Sequence, residues 1–239
     1  MPEPFPSPPK AVLLDVGGVF LVPTHERILD AFARAELAPP AAVLDRAHYA
    51  GARSFPMTDD AQQDWATKWR AYLDGYITEC SVPDDAREDA HKHLDSEFAD
   101  AALWLRELPG ARAGIRALAA SGVRLGIISN ADGLIGQRLA EMEMLQVGPG
   151  IGVTVECLID SGAVGVMKPD PRIFRIALDA MAIDATDAWY VGDMPGIDVV
   201  GARAVGLLPV VMDPYDFHLD ADYHRVSSLT ELAAIVGGG

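Results

Sequence analysis

Apolar residues follow two different rhythms along this chain. Ala11 to Val16 is a short apolar run interrupted only by Asp15 and closed by Gly17 and Gly18, which predicts a buried parallel strand followed by a tight turn. From Thr24 to about Arg106 apolar residues recur at helical spacing in alanine-rich stretches, broken at Pro39 and Pro40, at Pro56 and at Pro83. About four helices and no strand are expected there. After that block the rhythm alternates. Pro109 to Ala120 predicts a helix closed by Gly122, Val123 to Ile128 a strand ending at Ser129 and Asn130, and a helix then runs to about Met144. Val153 to Ile159 reads as a weaker strand, Pro171 to Met181 as a helix, and Ala188 to Val191 as a strand ending at Gly192 and Asp193. A helix from about Ile197 to Val205 precedes a last strand, Leu208 to Met212.

Strands that alternate with helices imply βα units, so the expected fold is α/β: a Rossmann-like parallel sheet with helices on both faces. The helical block is inserted after the first strand. Residues 1–21 and 107–239 are expected to form the core domain and residues 22–106 an inserted α-helical cap, a division that 239 residues can support.

Composition narrows the function classes. With 19 basic and 35 acidic residues the net charge is −16, which repels polyanions and argues against nucleic acid as a partner. The same field opposes a phosphorylated substrate, so a phosphate site must carry its own positive charge. Cys80 and Cys157 are the only cysteines, far apart, giving neither a disulfide framework nor a metal pair and fitting a reducing cytoplasm. The proline-rich start, Met1 to Pro9, lacks the pattern of a signal peptide and reads as disordered over its first few residues; no segment reaches the ~18 apolar residues of a membrane span.

In an open parallel sheet, ligands sit beyond the carboxyl ends of the strands, where loops converge and helix N-termini point. Asp15, Ser129 with Asn130, Lys168 and Asp193 with Asp198 all fall at such positions. Any one of them alone reads more readily as a helix cap or a solvated charge. In that order, and all at strand ends or helix starts, they form a specific set.

Leu14 to Val19, Ile127 to Asn130, Met167 to Pro171 and Val191 to Asp198 resemble the four motifs of the haloacid dehalogenase-like superfamily, and the helical insert resembles its subgroup with a cap after the first motif. The resemblance implies a hydrolase, most simply a phosphatase acting on a phosphorylated small metabolite, with Asp15 as nucleophile and Mg²⁺ as cofactor. Asp15, the Gly17 carbonyl, Asp193 and Asp198 are the implied metal ligands. Ser129 and the Asn130 amide would bind the phosphoryl oxygens, and Lys168 would offset charge in the transition state.

The sequence departs from the family at Gly17, where most of its phosphatases carry an aspartate that protonates the leaving group, a contribution of ~10²–10⁴ in rate. Haloacid dehalogenases also lack that aspartate, so a dehalogenase remains an alternative, as does a catalytically weak binding or regulatory protein. Among other residues, His91 and His93 point to different faces of a helix and read as solvated. Trp65 and Trp69 share a helix face and read as core packing. Arg53, Lys68 and Arg70 read as surface, and His25 as decoration of a helix start.

Overall fold

Strands covered on both faces can dispense with polar positions, and the centre of the molecule is built that way. The computed structural model describes residues 4–57 and 64–238. In chain order its strands are β1 (Ala11–Leu14), β2 (Leu21–Val22), β3 (Arg106–Glu107), β4 (Arg124–Ser129), β5 (Leu145–Val147), β6 (Val153–Val155), β7 (Cys157–Asp160), β8 (Ala188–Gly192), β9 (Leu208–Met212) and β10 (His224–Val226). Six of them form one parallel sheet in the order β10-β9-β8-β1-β4-β7. All four residues of β1 are fully buried at its centre. From β1 the chain moves outward through β4 and β7, then returns to the other side through β8, β9 and β10. The switch between β1 and β8 opens a crevice at the carboxyl ends of the strands.

The insert supplies α1 (His25–Arg34), α2 (Leu44–Ser54), α3 (Trp65–Glu79) and α4 (Arg87–Phe98), four helices between the expected proline breaks. Around the sheet lie α5 (Ala111–Ala120), α6 (Ile135–Glu141), α7 (Ser161–Val164), α8 (Pro171–Met181), α9 (Pro195–Val205) and α10 (Leu229–Val236). The insert has its own apolar cluster around Phe32, Tyr72, Tyr76 and Phe98, which continues onto Met194 and Ile197 of the core. Gly196 lets the two meet, because a β-carbon there would overlap Pro56 and Phe55. No helix among the described residues is long and apolar enough to cross a membrane.

Several expectations change. Leu21–Val22 and Arg106–Glu107 pair as an antiparallel ribbon at the two ends of the insert, so Arg106 is in a strand. The expected strand Val153 to Ile159 is two: β6 pairs with the unanticipated β5, and β7 joins the main sheet. Leu208–Met212 is not the last strand, since β10 and α10 follow. The N-terminal stretch is ordered from residue 4: Phe5 stacks on His224 with ring centroids 4.4 Å apart and packs on Trp189. Residues 1–3, where disorder is also expected, lie outside the described residues.

Docking of α10 on α5 depends on a small residue. A β-carbon at Gly114 would overlap the Leu229 β-carbon and lie 3.1 Å from the Thr230 nitrogen. Gly114→Ala is therefore expected to destabilise the fold by about 1–3 kcal/mol, as overpacking does. The check is the urea midpoint at unchanged denaturant slope; undiminished stability would place α10 elsewhere.

Candidate active site

Asp15 follows β1 directly, Ser129 ends β4, and Asp193 follows β8, so the three middle strands β8, β1 and β4 aim three candidate residues at one point. Lys168 comes from the loop before α8, and Asp198 from the first turn of α9. All the expected site residues line one cavity of ≈ 500 Å³.

Lys168 is 1% exposed, and its ammonium donates to Asp15 Oδ2 at 2.7 Å, Asp198 Oδ1 at 2.9 Å and Tyr190 Oη at 2.7 Å. Burial lowers its pKa, but the two carboxylates outweigh burial and leave it raised, so the group is charged. Tyr190 donates its own hydroxyl proton to Asp198 at 3.0 Å, and burial together with Asp198 holds that phenol well above its usual pKa. Asn130 locks the Lys168 backbone from both ends: its Oδ1 accepts from Lys168 N at 2.7 Å and its Nδ2 donates to Lys168 O at 3.0 Å. Its side chain is thus committed to positioning the lysine.

Burial raises the Asp15 carboxyl to about 7 against the pull of Lys168, with Asp198 and Asp193 pushing the same way as burial. The Val16 amide donates to Asp15 Oδ1 at 2.7 Å and orients it. Asp15, Asp193 and Asp198 offer oxygens within 4.8 Å of one another. Set against Lys168 alone, the three carboxylates leave at least one negative charge uncompensated even with Asp15 protonated. Asp193 Oδ2 is moreover buried and makes no well-aligned hydrogen bond, its near neighbour being His48 Nε2 at 3.0 Å. An excess of negative charge, a set of hard oxygen donors and a carboxylate oxygen without a well-aligned partner fit a divalent cation.

His48 of α2 was not singled out by the sequence. It is 1% exposed, with Nδ1 2.9 Å from Tyr72 Oη and Nε2 3.0 Å from Asp193 Oδ2, so the insert reaches the carboxylate group directly. Nothing in a lone histidine on an alanine-rich helix signals this. His25, by contrast, bonds Asp45, which Arg106 also grips at the base of the insert, and it does not line the cavity. His91 is buried on Asp74 at 2.7 Å rather than solvated, because α3 packs on α4 there. Arg70 pairs with Glu88 at the surface, Arg53 is exposed and Lys68 is half-buried. Trp65 and Trp69 do not simply fill the core: both line the cavity, Trp65 being 43% exposed.

Two adjacent glycines play different parts. Gly18 has φ +63° and a β-carbon there would overlap the Asp193 side chain, whereas at Gly17 it would meet only Trp104 ring carbons at 3.5 and 3.6 Å, an ordinary contact. Gly17→Ala is expected to keep a thermal midpoint within ~2 °C of wild type, while Gly18→Ala, strained and overpacked, should lose about 2 kcal/mol or more, roughly 4 °C or more. Equal midpoints in the two variants would contradict this geometry.

Comparisons with known proteins agree with the geometry. A family profile described as haloacid dehalogenase-like hydrolase matches residues 9–206. The chain is similar to a phosphoserine phosphatase of Thermus thermophilus, 41% identical over 90 residues covering 36% of each chain. It is also similar to a glyceraldehyde 3-phosphate phosphatase of Pyrococcus abyssi, 39% identical over 107 residues, 45% of this chain and 42% of the other. These matches span less than half the length of either relative. Among solved structures, a HAD phosphatase from Thermococcus onnurineus superposes with TM-score 0.55 at 18% identity over 95% of this chain and 98% of that one. A 2-haloacid dehalogenase from Pseudomonas syringae does so with TM-score 0.52 at 20% identity over 95% and 98%. These two likenesses show a shared fold and do not separate phosphatase from dehalogenase. With its parallel sheet, its motif residues in one cavity and the family match over most of its length, the chain belongs to the haloacid dehalogenase-like hydrolases.

Proposed function

We propose that this hydrolase is a Mg²⁺-dependent phosphatase that acts on a phosphorylated small metabolite through a phosphoryl group carried on Asp15, with residues 22–106 serving as a cap over the site. The observation that supports it best is the excess of carboxylates, Asp15, Asp193 and Asp198, over the one ammonium of Lys168. A dehalogenase acting on a singly charged acid has no use for a site that needs a divalent cation. The phosphatase names of its relatives point the same way.

In this reading Asp15, the Gly17 carbonyl, Asp193 and Asp198 hold Mg²⁺, which when bound supplies positive charge next to the phosphoryl oxygens. The chain's own groups do the rest. The Val16 amide orients the Asp15 carboxylate for in-line attack on phosphorus. The new Asp15 Oδ–P bond forms as the P–O bond to the leaving group breaks. Lys168, fixed by Asn130 and Asp198, offsets charge as it develops, while Ser129 and the Asn130 backbone amide bind phosphoryl oxygens. Water then attacks phosphorus, returning the Asp15 carboxylate and inorganic phosphate.

Asp15→Asn should abolish phosphate release, to below a few per cent of wild type, with the fold retained by circular dichroism. Lys168→Ala should lower kcat by ~10²-fold or more, as loss of a preorganised electrostatic group does. EDTA should suppress phosphate release and Mg²⁺ restore it. Metal-independent chloride release from 2-chloropropionate without phosphatase activity would establish the dehalogenase alternative, and neither activity would establish a binding protein.

A further inference from the structure

Three of the four tryptophans of this chain surround the one cavity that contains Asp15. Trp104 lies against Gly17, with two ring carbons at van der Waals distance from where a β-carbon would stand. The position that carries an acid in most of the family's phosphatases is therefore a glycine next to an indole. Phe98 connects Trp104 to Trp69, with ring centroids 6.0 and 5.9 Å away, so the three rings make a continuous aromatic wall. Trp69 is held by a parallel stack on buried Tyr72, 4.6 Å between centroids at 9°, which fixes the plane it offers. Trp65, one helical turn earlier on α3, packs on Phe55 and lines the same cavity nearer solvent.

The cations around that wall are already matched. Among the described lining residues the arginine and lysine are Arg138, held by both oxygens of Asp132 at 2.8 and 2.7 Å, and Lys168, held by Asp15 and Asp198. His48 is engaged by Tyr72 and Asp193. Asp95 adds a further negative charge to the lining. A leaving group with a carboxylate of its own would face acids and no uncommitted cation there.

Leaving-group chemistry leads to the same class. With no carboxylic acid at position 17, a leaving group that departs readily as its anion is favoured. Such departure is far easier for a phenol, which ionises near pH ~10, than for an alkanol, whose hydroxyl is closer to water at ~16. Aromatic rings gain most from stacking and edge contacts with other rings.

From these observations we infer that the site takes aryl phosphate monoesters, the ring resting on the wall of Trp104, Phe98 and Trp69. The inference rests on the phosphatase reading above. The Asp15 Oδ–P bond forms, the P–O(aryl) bond breaks, and the aryloxide leaves with the bonding pair and takes a proton from water. Water then cleaves the acyl phosphate and regenerates Asp15.

The test compares kcat and KM, with Mg²⁺, for phenyl phosphate, benzyl phosphate, phosphoglycolate and phosphoserine. Benzyl phosphate keeps the ring but leaves as an alkoxide, so it separates recognition from departure. Phenyl phosphate is expected to exceed phosphoglycolate and phosphoserine in kcat/KM by ~100-fold or more. Benzyl phosphate should share its KM within a few-fold and have a much lower kcat. Binding of non-hydrolysable phenylphosphonate, followed by quenching of tryptophan fluorescence, should weaken at least 5-fold in Trp69→Leu and much less in Trp69→Phe, with thermal midpoints confirming folding. Phosphoglycolate or phosphoserine turned over as well as phenyl phosphate, or equal phenylphosphonate binding in wild type and Trp69→Leu, would overturn this inference and leave the phosphatase reading standing. Phosphate release from none of the four esters would overturn both.

Discussion

A single buried ammonium organises this site. Lys168 carries its charge at 1% exposure, and such a charge survives only where carboxylates surround it at hydrogen-bond distance. Asp15 and Asp198 provide that, with Tyr190 as a third contact. The strands that present Asp15 and Tyr190 are neighbours at the switch in the sheet, and Asn130, just past the end of the strand on the other side of β1, clamps the lysine backbone. Removing Lys168 leaves Asp15 and Asp198 buried without their cation, so catalytic geometry and local stability depend on the same bonds. The carboxylates outnumber the ammonium, and Asp193 Oδ2, buried without a well-aligned hydrogen bond, carries part of the excess.

The insert completes the site rather than merely covering it. His48 reaches Asp193, Tyr49 donates to the Gly18 carbonyl at 2.7 Å, and Phe55 and Pro56 close on Gly196. Gly196 admits the last of these approaches, because a side chain there would collide with Phe55 and Pro56, and Gly18 leaves room for the Asp193 side chain. Gly17 differs, since its surroundings accept a β-carbon.

The sheet was legible where strands are buried on both faces, because an apolar run such as Ala11–Leu14 or Leu208–Met212 has no competing reading of that length. It was illegible at the edges. His224–Val226 is three residues with one buried side chain, held by pairing with β9, and Leu145–Val147 exists through its partner β6. The helix after His224–Val226 did carry a local signal: Ser228 caps it and Glu231 bonds back to Ser227, a serine followed three residues later by glutamate. The motif residues were legible because order along the chain maps onto strand ends. His48, Tyr190 and Trp104 were not, since their roles arise from helices and strands meeting across distances that no periodicity encodes. The misreading of Trp69 has the same origin, as one face of its ring packs on Tyr72 while the residue also borders the cavity.

In the proposed mechanism a carboxylate oxygen of Asp15 takes the phosphoryl group. Rapid acid quenching during turnover of a phosphate ester labelled in its phosphoryl group, followed by peptide mapping, tests this directly. The label is expected on the peptide that contains Asp15, in amounts that rise to a steady level before bulk phosphate accumulates. Steady turnover with no label on the protein, or with label on any other residue, would contradict it.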